Sequence, residues 1–264
     1  DATMENADGF AAKLTCGPGN VFDGCMSYNN SDDGWDLYAK EATGPIGIVT
    51  IKNSVAFRNG FTEDGRGYGD CDGNGFKLGG GGVGSAHVVD NCIAFENFHC
   101  GFTDNNNPLL GSVTNCTAYK NALDQKANFM VYRCTQTNTA FKNLLSYTGG
   151  NSKCSNDKFV GTISNSVIYS SGSYYKIGSA SAVSNNAPGS VTKAPSDSDF
   201  VSVKAPAQGS DFHKIWRNAD GSINTQGFLQ LNQNSVLSGT GVSMTGLTVQ
   251  KSTPLPQYSV PSAP

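Results

Sequence analysis

Hydrophobic and polar positions along this chain fall into two short phrases that recur out of phase. The first alternates apolar and small residues and ends in an aromatic. Its copies are Gly24-Cys-Met-Ser-Tyr28, Asn53-Ser-Val-Ala-Phe57, Asn91-Cys-Ile-Ala-Phe95, Asn115-Cys-Thr-Ala-Tyr119, Asn143-Leu-Leu-Ser-Tyr147 and Asn165-Ser-Val-Ile-Tyr169. The second ends in Phe or Trp: Asp8-Gly-Phe10, Asp33-Gly-Trp35, Asn74-Gly-Phe76, Cys100-Gly-Phe102, Ala127-Asn-Phe129 and Asp157-Lys-Phe159. Alternation over so few residues marks short strands. The first phrase recurs after 29, 38, 24, 28 and 22 residues, with all variation between phrases. Two strands per irregular turn predict an all-β solenoid, a right-handed parallel β-helix.

The alternation predicts that Met26 and Tyr28, Val55 and Phe57, Ile93 and Phe95, and Val167 and Tyr169 point inward. Ala56, Ala94 and Ala118 would then face out or pack laterally. Asn53, Asn91, Asn115, Asn143 and Asn165 recur at one place and predict a buried amide ladder. A second Asn column follows the strand at Asn30, Asn59, Asn97 and Asn121. Both columns are read as packing positions. The rungs span about 8–180. The less regular stretch 181–250 is expected to pack along or cap the helix, giving one domain over 1–250. A Pro/Ser-rich tail follows at 251–264.

Neighbouring rungs lie about 4.8 Å apart, so equivalent positions become columns. One column reads Asp8, Asp33, Asn74, Cys100. Another reads Ala11, Asp36, Lys77, Thr103. With Asp32 alongside, four carboxylates meet one lysine on a single face. Only 15% of the residues are charged, which makes this concentration stand out. Ionised carboxylates crowded together repel unless a cation joins them, and Ca²⁺ takes six to eight oxygens. The competing reading of Asp32-Asp33-Gly34-Trp35-Asp36 is a solvated acidic turn.

Lys77 has two readings as well. It is an ion-pair partner of Asp36, or a general base whose pKa a neighbouring cation lowers. A cation that also held a substrate carboxylate would acidify the hydrogen on the adjacent carbon. Loss of that proton and of a β-alkoxy group is β-elimination, which suits a uronic-acid polymer linked through O4.

Overall charge narrows the classes. Eighteen basic against 21 acidic residues give a net charge of −3, with no basic footprint for nucleic acid or a membrane surface. No run is long enough to span a bilayer. The eight cysteines form no C-x-x-C pair and have no clustered His, which argues against zinc. Their even number predicts disulfides and an oxidising compartment. Cys92 with Cys116 and Cys16 with Cys25 are the pairs that rung position favours. With no charged-then-apolar leader, the chain is read as a mature, secreted, monomeric protein. His87, His99 and His213 are read as structural.

Asp8-Gly-Phe-Ala-Ala-Lys13, Ser31-Asp-Asp-Gly-Trp-Asp-Leu37, Gly73-Asn-Gly-Phe-Lys-Leu-Gly-Gly80 and Gly101-Phe-Thr-Asp-Asn-Asn-Asn107, with Ser198-Asp-Phe-Val-Ser202 and Ala219-Asp-Gly-Ser222, together resemble a family 9 polysaccharide lyase of the pectate lyase type. The likeness runs from about Asp8 to about Val242. It implies a right-handed parallel β-helix, Ca²⁺ dependence and endo-type β-elimination on polygalacturonate. By matching motif it implies calcium ligands at Asp8, Asp32, Asp33 and Asp36 and a catalytic base at Lys77. The family has several rungs before this site, whereas here it begins at residue 8, so a trimmed chain or an unusual cap is expected.

Two weaker candidates flank the site. Arg66, in the insertion Phe61–Cys71, either binds a substrate carboxylate or lies on a surface loop. Asn105 and Asn106 either donate to sugar hydroxyls or form a turn. The alternatives to a pectate lyase are a lyase on rhamnogalacturonan or another uronate polymer, and a β-helix that binds acidic polysaccharide through calcium without cleaving it. The residue that separates these last two classes is Lys77, because a binding module needs no base. Two glycosylation sequons, at Asn29 and Asn115, complete the motifs. Asn115 is expected to be buried in the ladder and Asn29 to be exposed beside the site.

Overall fold

The computed structural model describes residues 4–65, 71–136, 139–177, 194–232, 235 and 237, together with the backbone of Ser181–Ser184 and Ser190–Val191. Arg66 and the expected tail at 251–264 lie outside the described residues.

The chain winds as a parallel β-helix with three short strands per coil. Sheet A stacks Phe10–Ala11, Trp35–Asp36, Phe76–Lys77, Phe102–Thr103 and Phe129–Val131. Sheet B stacks Asn20–Asp23, Val49–Lys52, Val88–Asp90, Ser112–Thr114 and Ala140–Lys142. Sheet C stacks Met26–Tyr28, Val55–Phe57, Ile93–Phe95, Thr117–Tyr119, Leu145–Tyr147 and Ser166–Ser170. The two repeating phrases are therefore sheets C and A, and sheet B is a third strand that the phrases did not isolate. Lys158–Ser164 pairs with sheet A at one end and sheet B at the other. There Phe159 lies beside Val131, so this last copy of the second phrase is shifted two residues from the predicted alignment. Two antiparallel strands cover the exposed edge of the final coil: Ser173–Ile177 on Ser166–Ser170, and Ser181–Ser184 on Lys158–Ser164. Covering an edge in this way blocks strand-to-strand association.

The interior is narrow. Sheet A fills it with a ring stack, Phe10, Trp35, Phe76, Phe102 and Phe129, whose successive centroids are 4.9, 4.8, 4.7 and 5.0 Å apart. Sheet B adds Val49, Ile51, Val89, Val113 and Phe141. Little room remains for sheet C, and its inward residues are Ala56, Ala94 and Ala118. This reverses the expected facing. The alternation is correct, but Met26, Val55, Phe57, Ile93, Phe95 and Val167 lie on the outer side of sheet C. They stay buried because residues 200–232 run back along that face. Phe200, Phe212, Trp216 and Phe228 cover it, with Trp216 edge-on to both Phe57 and Phe95. The C-terminal segment thus closes a second core, and an Arg217 bond to the Gly24 carbonyl ties it to the first complete coil.

Between sheets C and A the backbone turns where strand pairing lapses. Asn30, Asn59, Asn97, Asn121 and Asn128 form one continuous ladder there. Each Nδ2 donates to the next Oδ1 over 2.8, 2.8, 2.8 and 2.9 Å. The same Oδ1 atoms of Asn59, Asn97, Asn121 and Asn128 accept the backbone N–H groups of Asn30, Asn59, Asn97 and Asn121. The ladder also explains the glycine of the second phrase. A Cβ on Gly34, Gly75 or Gly101 would lie 2.7, 2.9 or 2.8 Å from a ladder amide nitrogen. Where Asn128 replaces that glycine, its own side chain is the last member of the ladder.

The other Asn column forms the expected ladder only in part: Asn91 Nδ2 donates to Asn53 Oδ1 at 2.8 Å and the buried Asn143 donates to Asn115 Oδ1 at 2.7 Å. Asn53, Asn91, Asn115, Asn143 and Asn165 occupy left-handed corners, with φ between 48° and 55°. Asn tolerates that conformation better than most residues do. Asn115 is exposed rather than buried and donates to Asp90 Oδ1. Asn29 is half-buried rather than exposed, with a buried Nδ2.

The expected cysteine bridges are not formed. Cys16, Cys25, Cys92 and Cys116 are thiols. The Cys116 thiol donates to the Thr114 carbonyl and that of Cys92 to the Asp90 carbonyl, the back-bonding that Ser54 and Ser166 make at equivalent corners.

Two predictions follow from this frame. Asn97→Leu takes the acceptor from the Asn59 N–H and Nδ2 and the side-chain donor from the Ala56 carbonyl, and is expected to cost about 3 kcal/mol or more in a denaturant titration; a loss near zero would mean that the ladder is dispensable. His87 is fully buried, its Nδ1 accepts the Val49 N–H at 3.1 Å, and burial lowers its pKa to about 4. Between pH 6.5 and 4 the unfolded chain therefore binds the proton that the fold rejects, so stability is lost as pH falls through that window. Unfolding followed across it should show up to about 3 kcal/mol less acid sensitivity in His87→Gln than in the wild type.

Candidate functional site

Sheet A is only two residues wide in its first four coils, with one residue inward and one outward. The outward column is Ala11, Asp36, Lys77 and Thr103, in direct register. The column at the preceding corner is Asp8, Asp33, Asn74 and Cys100. There each side chain accepts the backbone N–H one coil on: Asp33 N to Asp8 Oδ1, Asn74 N to Asp33 Oδ1, and Cys100 N to Asn74 Oδ1. Both columns agree with the sequence alignment.

Carboxylate oxygens of Asp8, Asp33 and Asp36 lie within 4.8 Å of one another. Oxygens that share one Ca²⁺ at 2.3–2.6 Å are at most about 5 Å apart, so this set has the right size and chemistry for the ion. Asp32 borders the same cleft but is not in that close group. Its Oδ1 accepts the Asp72 N–H at 2.9 Å. Asp36 Oδ1 accepts the Tyr38 N–H at 2.9 Å. All four carboxylates thus follow one plan, with Oδ1 fixed by a backbone N–H and Oδ2 left for a cation.

Two lysines meet those second oxygens. Lys77 Nζ is 2.9 Å from Asp33 Oδ2, 3.3 Å from Asp72 Oδ2 and 4.0 Å from Asp36 Oδ2. Its main partner is Asp33, not the expected Asp36. Lys13 Nζ is 2.7 Å from Asp8 Oδ2 and 2.9 Å from Asp36 Oδ2. Neither Lys13 nor Asp72 was singled out from the sequence. Lys13 was legible in principle, since period-two alternation from Ala11 puts it on the outward face. Asp72 sits on an irregular loop with no periodic signal.

The electrostatics follow from burial and crowding. Burial and neighbouring carboxylates push the Asp32 and Asp33 carboxyls up, with Lys77 opposing both shifts. Burial also raises Asp36. For Lys77, burial alone would lower the pKa, but Asp33, Asp36 and Asp72 together outweigh it and raise it. Lys77 is accordingly an ammonium in this arrangement. The groups open onto a cleft of 400 Å³ bordered by Glu5, Asn6, Tyr38 and Lys40.

The other candidates sit elsewhere. Asn105 and Asn106 form a left-handed turn with φ of 41° and 67°. The Asn105 amide is bound to the Gly79 carbonyl and the Asn106 N–H to Asp104 Oδ1, and neither residue lines the cleft. His99 pairs with Asp124, Nδ1 to Oδ2 at 2.6 Å.

Residues 1–138 match the model of a family described as Pel9A-like, right-handed β-helix region. The chain belongs to this family. A pectate lyase L of Paenibacillus polymyxa (strain SC2) is 45% identical over 90% of this chain and 46% of its own length. Pectate lyase PEL9 of Emericella nidulans is 34% identical over 85% of this chain and 50% of its own length. The crystal structure of pectate lyase Pel9A superposes with a TM-score of 0.57 at 28% identity, covering 92% of this chain and 55% of that one. A rhamnogalacturonan lyase at 24% identity shares the fold, with a TM-score of 0.57 over 86% of this chain and 52% of its own. This member of the Pel9A-like family therefore spans about half the length of the curated relatives it matches.

The cluster is expected to take up a divalent cation. Calcium at about 100 times its dissociation constant should stabilise the fold by about 2.7 kcal/mol, read as a rise in the thermal midpoint over a chelated sample. Asp36→Asn keeps the oxygen that Tyr38 needs and removes the charge the cation needs, so most of that rise should vanish. An equal rise in both proteins would place the ion elsewhere.

Proposed function

We propose that this chain carries the reaction centre of a calcium-dependent pectate lyase, secreted and acting on the polygalacturonate of plant cell walls. The single observation that carries the reading is one lysine, Lys77, set in register beside Asp36 and ion-paired to Asp33, within a carboxylate set of calcium-binding size. Similarity to several pectate lyases supports it.

Asp8, Asp33 and Asp36 would hold the calcium ion, with Asp32 at its edge. When bound, the ion would neutralise these carboxylates and draw electrons from a uronate carboxylate, acidifying the adjacent C5–H. Lys77 takes that proton. The C5–H electron pair becomes the C4–C5 double bond, the C4–O4 pair leaves with O4, and O4 takes a proton from solvent as the neighbouring sugar departs. A base must first be a free amine, and Lys77 is held as an ammonium by Asp33, Asp36 and Asp72. Charge neutralisation at those aspartates is what moves its pKa toward working range. The walls of the cleft, Tyr38, Lys40 and Asp72 among them, would position the polymer.

The test is the ultraviolet absorbance of unsaturated ends formed from polygalacturonate, with calcium and with chelator. Lys77→Ala is expected to lower the rate by roughly 10²- to 10⁴-fold, the usual worth of a positioned base, while calcium uptake persists. Calcium-dependent binding of the polymer with no absorbance from the wild type would instead make this a binding module.

A further inference from the structure

Lys13 stands where a cation belongs. Its ammonium bridges Asp8 Oδ2 and Asp36 Oδ2, at 2.7 and 2.9 Å, and so joins two successive coils. These are two of the three carboxylates whose oxygens converge. An ammonium and a calcium ion cannot both lie between the same two oxygens, since each needs direct contact with them. One of the parties must move. The carboxylates are the fixed parties: their side chains are 1% and 4% exposed, and each Oδ1 is held by a backbone N–H. Lys13 is the free one. It is 18% exposed, carries its charge on a flexible four-carbon stem, and borders the cleft. Lys77 differs, because one of its partners, Asp72, lies outside the converging set and keeps a contact with it when an ion takes the others.

We propose that Lys13 is a displaceable counter-cation, which holds the acidic cluster when no divalent ion is bound and swings into the cleft when one is. The inference rests on the reading of the cluster as a calcium site. It gives Lys13 two duties. Without calcium it keeps Asp8 and Asp36 from standing as unpaired buried charges. With calcium available it sets the occupancy threshold, because the ion binds only the fraction of molecules from which Lys13 has withdrawn.

The experiment uses the whole chain and two readouts besides activity. Acetic anhydride labelling of the wild type, read by peptide mass spectrometry, reports how exposed the Lys13 amine is. Calcium titration calorimetry compares the wild type with Lys13→Met, which keeps length and removes charge. The expected result is several-fold faster labelling of Lys13 in saturating calcium than in chelator, and roughly tenfold tighter calcium binding by Lys13→Met, as for a site open in about a tenth of molecules. Unchanged Lys13 labelling, with wild-type calcium affinity in Lys13→Met, overturns the proposal and leaves the calcium reading intact. Absence of calcium uptake by both proteins overturns the calcium reading, and the proposal with it.

Discussion

Everything in this molecule depends on strands pairing with the same strand one coil on, about 4.8 Å away. Pairing alone does not carry the chain around its corners, because there the backbone groups turn away from each other. Between sheets C and A the Asn30–Asn128 ladder supplies the missing bonds, with side-chain amides spaced as the strands are. That ladder and the backbone carbonyl one coil on together leave no room for a Cβ at Gly34, Gly75 and Gly101. The glycine-aromatic phrase is thus the imprint of the ladder on its neighbour. The ring stack of Trp35, Phe76, Phe102 and Phe129 keeps the same spacing because each ring sits in strand register with the one a coil away.

A stacked lattice has a consequence for charge. Any residue is brought face to face with its equivalents above and below, so like charges in one column would repel at close range. Elsewhere the chain avoids this by alternating the sign of the charge, as in Asp23, Lys52 and Asp90 or Arg58 and Glu96, or by using uncharged residues. Around Asp33 it does not, and two lysines are needed to compensate. A cluster that costs this much and is held at every Oδ1 by backbone is poorly explained as a solvated turn. Its members are nearly all buried, which a solvated turn would not require.

The register was legible in the sequence, because repeated phrases align themselves and a lattice converts alignment into adjacency. Asp8 over Asp33 and Asp36 beside Lys77 followed from that alone. The facing of sheet C was not legible. Alternation gives two faces but does not say which is the interior, and here the bulky face is buried by residues 200–232, far away in the chain. A narrow interior already full of rings accepts Ala56, Ala94 and Ala118 and excludes Phe57 and Phe95. Lys13 was missed for a related reason. Its role depends on what lies one coil away, at Asp36, not on any local motif. Asn105 and Asn106 were ambiguous because a turn and a sugar-binding loop use the same residue type; the bonds to Gly79 and Asp104 favour the turn.

The division of labour within each carboxylate ties the fold to the site. Asp33 Oδ1 accepts both the N–H and the Nδ2 of Asn74, the same kind of contact that the Asn ladder makes at the neighbouring corner. As a frame element, Asp33 could therefore be an asparagine, as its column partner Asn74 is. What distinguishes Asp33 from Asn74 is Oδ2, which makes no contribution to the turn and faces Lys77. The same holds for Asp8 and Asp36, whose Oδ2 atoms face Lys13. Stability accounts for one oxygen of each residue and leaves the second unexplained. An Asn at these positions would satisfy the backbone without adding buried charge. The second oxygens, which face the two lysines, are therefore the part of the cluster that the fold does not require and that cation binding does.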